Sequence, residues 1–155
     1  MHRSEKIAVE ERPRGGRGLF AQAPIACGEV LIDFRGAPVV ARPTRTSLQI
    51  DDDRHIAGLD ETNAFLNHSC EPTAGYDYAG VYLRALRDIA AGEEIAVNYN
   101  AGDDDLVEKF RCDCGSPSCV GEVRGFRHLS REQKLRLLPL LAPYLRRRLE
   151  QEEEG

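Results

Sequence analysis

Short apolar runs separated by turn residues dominate the first hundred residues of this chain. Five runs have the length of a strand, are rich in Val and Ile, and end near Gly, Pro, Asn or Asp. They are KIAV (6–9), EVLIDF (29–34), RHIAGL (54–59), VYLRAL (81–86) and EEIAVNY (93–99). The glycines of RPRGGRG (12–18) and DIAAGEE (88–94) predict turns. Several short strands without a long helix between them predict an antiparallel, β-rich domain.

Beyond about residue 128 the apolar spacing becomes that of helices. Ser130 followed by Gln133 forms a capping-box pattern, which predicts the start of a helix. One apolar stripe follows, made of Leu135, Leu138, Leu141, Leu145 and Leu149. Because Pro139 and Pro143 interrupt it, the stripe predicts two short helices that close the domain, with the final EQEEEG (150–155) frayed. The fold class predicted is therefore β-rich α+β with C-terminal helices.

Length and composition fit one globular domain. A chain of 155 residues buries about two thirds of its unfolded surface. No run of about 18 apolar residues occurs, and the first 18 residues lack the apolar core of a signal peptide. We therefore expect no membrane association and a location in the cytosol, or in the nucleus if the source has one.

The charge balance bears on the choice of partner. The formal net charge is −5, which argues against direct nucleic acid binding and is compatible with a basic peptide partner. The DDD runs at 51–53 and 103–105 are interpreted as solvated loops, with steering of a basic peptide as the alternative. The pattern specifies no oligomeric state.

Cysteine usage indicates a metal site. An odd number of cysteines, five, argues against a purely disulfide framework, and clustered thiols in a reducing compartment are more often metal ligands. The segment RCDCGSPSC contributes Cys112, Cys114 and Cys119. Structural zinc takes four tetrahedral ligands, so a fourth must come from elsewhere in the chain. Cys70 is the first candidate, and Cys27 and His128 are the alternatives.

Cys70 stands in NHSCEPT (67–73), beside Asn67 and His68. A nucleophilic Cys70 activated by His68 is the competing interpretation, since the two side chains can share one face of an extended chain. Such a nucleophile also needs an oxyanion site, and no glycine-rich loop adjoins this segment. The metal interpretation is therefore preferred.

Four motifs, taken together, resemble the SET-domain protein lysine methyltransferases that carry a post-SET zinc motif. These motifs are GRGLFA (16–21), NHSCEPT (67–73), GEEIAVNY (92–99) and CDCGSPSC (112–119). They occur in the family's order, and the short chain with its helical tail resembles the compact bacterial or viral members. The resemblance implies a SET domain over 7–111, a post-SET zinc-binding segment over 112–124 and a helical tail over 125–155. The implied SET fold consists of small twisted sheets of the β-clip type with a pseudoknot.

The resemblance also implies an activity, the transfer of methyl groups from S-adenosylmethionine to a lysine of a protein substrate such as a histone. Making a neutral lysine amine at pH 7 costs about 4–5 kcal/mol, and a dry channel lowers that cost by disfavouring the ammonium. Two alternatives have other functions: a catalytically silent SET-like module with zinc that binds peptides, and a zinc-held interaction domain without a cofactor.

Site residues follow from the resemblance motif by motif. Tyr99 matches the essential tyrosine that orients the amine and the methyl group. The implied cofactor contacts are Gly16, Arg17, Gly18, Leu19, Asn67, His68, Tyr99 and either Phe110 or Phe126 over the adenine. The implied zinc ligands are Cys70, Cys112, Cys114 and Cys119.

Several positions depart from the family's pattern. Ala64 stands where an Arg is usual, and Thr73 stands where an Asn is common. Phe34 falls at a position where many members use a tyrosine to line the lysine channel, and Val97 falls where several have Phe or Tyr. Fewer hydroxyls loosen that channel, which leaves open whether one, two or three methyl groups are added.

Overall fold

The computed structural model describes residues 1–57 and 61–154, where short strands precede short helices. The strands of the first half are β1 (His2–Arg3), β2 (Ile7–Glu11), β3 (Arg17–Ala21), β4 (Val30–Asp33), β5 (Val39–Val40), β6 (Leu48–Asp51) and β7 (Arg54–Ile56). The later strands are β8 (Asn67–His68), β9 (Ala74–Asp77), β10 (Tyr82–Ala85), β11 (Glu94–Val97), β12 (Phe110–Arg111) and β13 (Glu122–Val123). The helices are α1 (Glu61–Ala64), α2 (Arg131–Arg136) and α3 (Pro143–Glu154). Single 3-10 turns occur at Tyr99–Ala101, Phe126–His128 and Leu138–Leu140.

The strands of the described ranges form small sheets rather than one large sheet. Their orders are β1-β4-β10-β9, β2-β3-β11-β8, β5-β7-β6 and β12-β13. The named pairs are antiparallel except β8 and β11, which run parallel with Ala96 opposite Asn67 and Val97 opposite His68. The parallel pair places the NHSC segment beside the strand that leads directly to Tyr99.

The predicted strands correspond to β2, β4, β7, β10 and β11, although residues 58 and 59 of the third lie outside the described residues. The pattern missed several strands. One is β3, which starts at Arg17, inside the predicted turn 12–18. It was missed because glycines interrupt its apolar pattern. Tyr99 lies on the 3-10 turn just after β11 rather than on the strand itself.

The helical tail packs against the body through its own core. This core contains Ala101, Phe126, Leu141, Ala142, Tyr144, Leu145 and Leu149. The Tyr144 hydroxyl donates a hydrogen bond of 2.5 Å to the carbonyl of Gly102. The tail therefore supports the turn that carries Tyr99 from behind.

The structure confirms the two predicted tail helices and shows where they begin and end. Ser130 and Gln133 form the capping box, and α3 starts at Pro143, where proline needs no amide hydrogen. Leu135 and Leu138 remain exposed, so only the later half of the apolar stripe is buried. The expectation of a frayed end is wrong for residues 150–154, and residue 155 lies outside the described residues. Helix α3 continues to Glu154, and Glu152 pairs with Lys134 at 2.7 Å. None of the helices in the described ranges is long and apolar enough to cross a bilayer.

The interpretation of the acidic runs as solvated loops is wrong for Asp104. This carboxylate is 4% exposed and lies between Arg127 and Arg148. Arg148 also contacts Asp52. These charges tie the helical tail to the body, which is why two acidic runs distant in sequence lie on the same side of α3.

Candidate active site and metal centre

Four cysteine thiols converge in space although Cys70 is remote from the others in sequence. The Sγ atoms of Cys70, Cys112, Cys114 and Cys119 all lie within 4.8 Å of one another, and those of Cys70 and Cys112 are 3.9 Å apart. A disulfide would require about 2.05 Å. Tetrahedral zinc with Zn–S bonds of about 2.3 Å separates its sulfurs by about 3.8 Å. The arrangement therefore fits a four-cysteine zinc site.

Neither alternative ligand joins this cluster. Cys27 is exposed, and its thiol points to the carbonyl of Leu86 at 3.3 Å. His128 Nε2 lies 2.8 Å from a carboxylate oxygen of Asp105. Burial raises the pKa of the Cys70 thiol to about 11, so a divalent cation is what would ionise this sulfur at neutral pH.

His68 connects the thiol cluster to Tyr99. Its Nδ1 accepts the backbone N–H of Tyr99 at 3.0 Å, and its Nε2 lies 3.3 Å from Cys70 Sγ. Burial lowers the pKa of His68 to about 4, so the ring is neutral at pH 7. A neutral imidazole that accepts at Nδ1 carries its proton on Nε2 and can donate it to sulfur. One ring thereby positions both a candidate metal ligand and the start of the Tyr99 turn.

Tyr99 faces a cavity of about 430 Å³, a size typical of small-molecule sites. Its hydroxyl donates a 2.5 Å hydrogen bond to the carbonyl of Leu66. Burial raises the pKa of Tyr99 well above its usual value, so the phenol stays neutral. Because its hydrogen is engaged with Leu66, the phenol oxygen has lone pairs left to accept a hydrogen bond from a ligand. The rings of His68 and Phe110 contact it edge-on, with centroids at 5.4 and 5.8 Å.

Glu94 organises the strands next to this cavity. Its Oε1 accepts from Asn67 Nδ2 at 3.0 Å and pairs with Arg12 Nε at 3.1 Å. Asn67 Nδ2 also donates to the carbonyl of Arg17 at 2.8 Å. A β-carbon at Gly18 would lie 2.4 Å from Glu94 Oε1. A side chain at position 18 would therefore displace the Glu94 carboxylate from its contacts with Asn67 and Arg12.

The structure brings some of the sequence-predicted site residues together and separates others. Those that line the cavity are Asn67, His68, Tyr99, Phe110 and Cys112. Gly16, Arg17, Gly18 and Leu19 are not among its lining residues; Arg17, Gly18 and Leu19 belong to β3, with Leu19 fully buried.

Three further predicted residues lie in the protein core. Phe126 is 1% exposed, within the tail core, with Lys134 Nζ 4.9 Å from its ring centroid. Phe34 is also buried and packs behind Tyr76, which does line the cavity, with ring centroids 5.9 Å apart. Val97 is buried within β11.

Two departures from the family's pattern have definite surroundings. Thr73 Oγ1 donates to the carbonyl of Glu94 and accepts the N–H of Ala96, both at 3.0 Å. The Thr73 side chain therefore bonds to the backbone of β11 as both donor and acceptor. Ala64 lines the cavity at the end of α1.

Sequence reasoning missed other residues of the site. Arg12 lines the cavity and joins Glu94 to Asp113, whose Oδ1 lies 3.6 Å from Arg12 Nη2. Asp103 and Tyr76 also line the cavity. Glu94, a charged residue at the start of the apolar strand β11, was the sequence signal that a cation such as Arg12 lies nearby. Arg12 and Asp103 stood in segments interpreted as a turn and as a solvated loop.

Comparison with known proteins adds independent information. The family model for the SET domain matches residues 16–100. A protein named methyltransferase flvH from Aspergillus flavus is 31% identical over 86 residues, which are 54% of this chain and 48% of that protein. A histone-lysine N-methyltransferase of Aspergillus oryzae, described as H3 lysine-36 specific, is 30% identical over 152 residues, covering 84% of this chain and 16% of that protein. Human histone-lysine N-methyltransferase 2B is 29% identical over 140 residues, which are 74% of this chain and 5% of that protein. The chain thus spans less than half the length of each of these relatives.

Proposed function

Since this chain belongs to the SET domain family, we propose that it is a protein-lysine methyltransferase that uses S-adenosylmethionine. One observation carries the proposal. The Tyr99 hydroxyl stands in a cavity with its hydrogen held by the Leu66 carbonyl, so its oxygen is free to accept a hydrogen bond from a substrate amine. The same cavity is lined by Asn67 and His68, the residues that the family resemblance assigns to the cofactor.

The residues of the cavity would bind, orient and exclude water. Bound S-adenosylmethionine supplies the activated methyl group. Asn67 and His68 would hold it from β8, and Phe110 would cover it as an apolar wall on the solvent side. Tyr99 would accept a hydrogen bond from the substrate amine and so orient the nitrogen lone pair toward the methyl group. This alignment contributes to the rate of transfer. Burial keeps the phenol neutral, so Tyr99 orients the amine without itself taking a proton at pH 7.

We further propose one structural zinc ion, held by Cys70, Cys112, Cys114 and Cys119. It would attach the loop after β12 to the NHSC segment and so fix the wall formed by Phe110. This organisation corresponds to a SET domain over 7–111, a zinc-binding segment over 112–124 and a helical tail over 125–155.

The proposed substrate is a lysine-bearing protein, and a histone or histone-like protein is the first candidate because two of the relatives carry histone-lysine methyltransferase names. We propose action in the cytosol, or in the nucleus of a eukaryotic source or host.

Methyl transfer from labelled S-adenosylmethionine to core histones and poly-L-lysine tests the proposal. Tyr99→Phe should lower kcat about 100-fold, because the oxygen that aims the amine is lost, while cofactor affinity stays within about twofold. Tyr82→Phe is the matched control, since Tyr82 lies on β10 between Arg35 and Arg84 and is not among the cavity-lining residues.

The alternatives give other results. A catalytically silent peptide-binding module predicts equal and negligible transfer by wild type and Tyr99→Phe. A zinc-held interaction domain without a cofactor predicts no heat of binding with S-adenosylmethionine in calorimetry. Either result would refute the proposed activity.

A further inference from the structure

Asp103 is a second candidate for direct contact with the substrate in the cavity that contains Tyr99. It follows the Tyr99–Ala101 turn by two residues, and its backbone N–H donates to the carbonyl of Tyr99 at 2.9 Å. Its side chain is partly buried and lines the same cavity as Tyr76 and Tyr99. The turn therefore fixes the backbone of Asp103 relative to that of Tyr99, and both side chains line one cavity.

Asp103 differs from the other acidic side chains that line this cavity. Each of those pairs with a cation: Asp105 with Lys109 at 3.2 Å, Glu108 with Arg45 at 2.9 Å, and Asp113 with Arg12 at 3.6 Å. In the parts of the chain that the structure describes, no cationic side chain lies within 4 Å of the Asp103 carboxylate. A partly buried carboxylate without a counter-charge attracts a cationic ligand.

The groups around Asp103 are neutral tyrosines. Its charge contributes to raising the pKa values of Tyr76 on β9, Tyr78 just after β9, Tyr99 on the turn and Tyr144 on α3, in addition to their burial. Burial raises the pKa of Asp103 itself to about 7, although the backbone N–H of Gln49 on β6 lowers it in part. Asp103 therefore changes charge near neutral pH while the tyrosines around it do not.

We propose that the Asp103 carboxylate receives the ammonium group of the target lysine and accepts the proton that must leave before methyl transfer. The inference rests on the proposed methyltransferase function. In the proton step, one N–H bond of the ammonium breaks and one O–H bond forms, which gives a neutral amine and a carboxylic acid. The amine lone pair then forms the N–C bond to the methyl group as the C–S bond of the sulfonium breaks and its electron pair stays on sulfur. The acid loses its proton to water at the cavity mouth.

Tyr99 is poorly suited to that proton step. Its pKa is raised by burial, and its hydrogen is already donated to Leu66. A lysine ammonium has a pKa near 10.4 in water, and a dry site lowers it. A carboxylate that titrates near neutral pH is a suitable acceptor for such a proton at pH 8, because it is ionised when the substrate arrives.

The test compares Asp103→Asn with wild type. Asparagine preserves shape and can still accept from Gln49 N–H. The control is Asp53→Asn, an exposed aspartate in the turn between β6 and β7 that does not line the cavity. We would measure kcat/KM for poly-L-lysine and core histones from pH 5.5 to 9.5, and S-adenosylmethionine affinity by calorimetry.

The kcat/KM of wild type and of the control should fall as the pH is lowered through about 7, in proportion to the fraction of Asp103 that is ionised. Asp103→Asn should lower kcat/KM about 100-fold or more and remove that inflection, with cofactor affinity unchanged within about twofold. Retention of both the rate and the inflection by Asp103→Asn would overturn the inference and leave the proposed function standing. Loss of cofactor affinity together with activity would also overturn it, in favour of a structural role. Absence of methyl transfer by wild type would refute the proposed function itself, and this inference with it.

Discussion

Replacing Asp103 with Asn should make the folded protein more stable at alkaline pH. In the folded protein burial raises the pKa of Asp103 to about 7, compared with 3.8 for an exposed aspartate. Each tenfold change in proton affinity corresponds to about 1.4 kcal/mol. Above pH 8 the ionised carboxylate therefore lowers the free energy of unfolding by at most about 4 kcal/mol. Asparagine removes this cost.

The sign of the effect follows from proton binding. Below pH 3.8 the carboxyl group is protonated in both the folded and the unfolded chain, so wild type and Asp103→Asn should be equally stable. Between pH 3.8 and about 7 the unfolded chain ionises first, and wild type loses stability progressively. Above about pH 7 both states are ionised and the difference stays constant.

Urea unfolding followed by circular dichroism measures this difference, with both proteins saturated with zinc at each pH. We expect the variant to be more stable by less than about 1 kcal/mol near pH 4 and by up to about 4 kcal/mol at pH 8.5. Other titrating groups contribute equally to both proteins and cancel. A difference that does not change with pH, or a variant less stable than wild type at pH 8.5, would refute the burial argument.

Three further substitutions probe the metal, the glycine and the tail. Cys112→Ser should release the zinc and weaken cofactor binding at least tenfold, whereas Cys27→Ser should do neither; equal metal content in the two variants, measured by mass spectrometry, would contradict the proposed site. Gly18→Ala should destabilise the fold by about 1–3 kcal/mol and lower cofactor affinity, because the β-carbon of alanine displaces the Glu94 carboxylate. If this variant unfolds thermally at the same temperature as wild type, the β-carbon does not displace Glu94. Tyr144→Phe should cost about 1–3 kcal/mol in urea unfolding, because the buried carbonyl of Gly102 loses its donor, and a loss below about 0.5 kcal/mol would argue against that bond.

Local patterns were sufficient for those parts of the fold whose cause is local. The capping box at Ser130 and the prolines at 139 and 143 set the two tail helices through contacts within a few residues. Alternating or continuous apolar runs located β2, β4, β10 and β11 because burial acts directly on those side chains. Strand β3 was not predicted because glycines interrupt its apolar pattern, and the two-residue strand β8 was not predicted because it forms through pairing with the distant β11 rather than through its own composition.

The candidate site was only partly readable for the same reason. The cysteine spacing and the motif around Tyr99 indicated a metal and a catalytic tyrosine from the sequence alone, because three thiols lie within one loop and the fourth stands in a recognisable motif. The packing of β8, β11 and α3 decides which distant thiol completes the cluster. It also decides that Asp103 has no cationic side chain beside it, whereas Asp104 lies between two arginines. Composition determines which charges a chain carries. Only tertiary packing decides which of those charges are paired or exposed to a cavity, because electrostatic interactions depend on distance and burial in space rather than on separation along the chain.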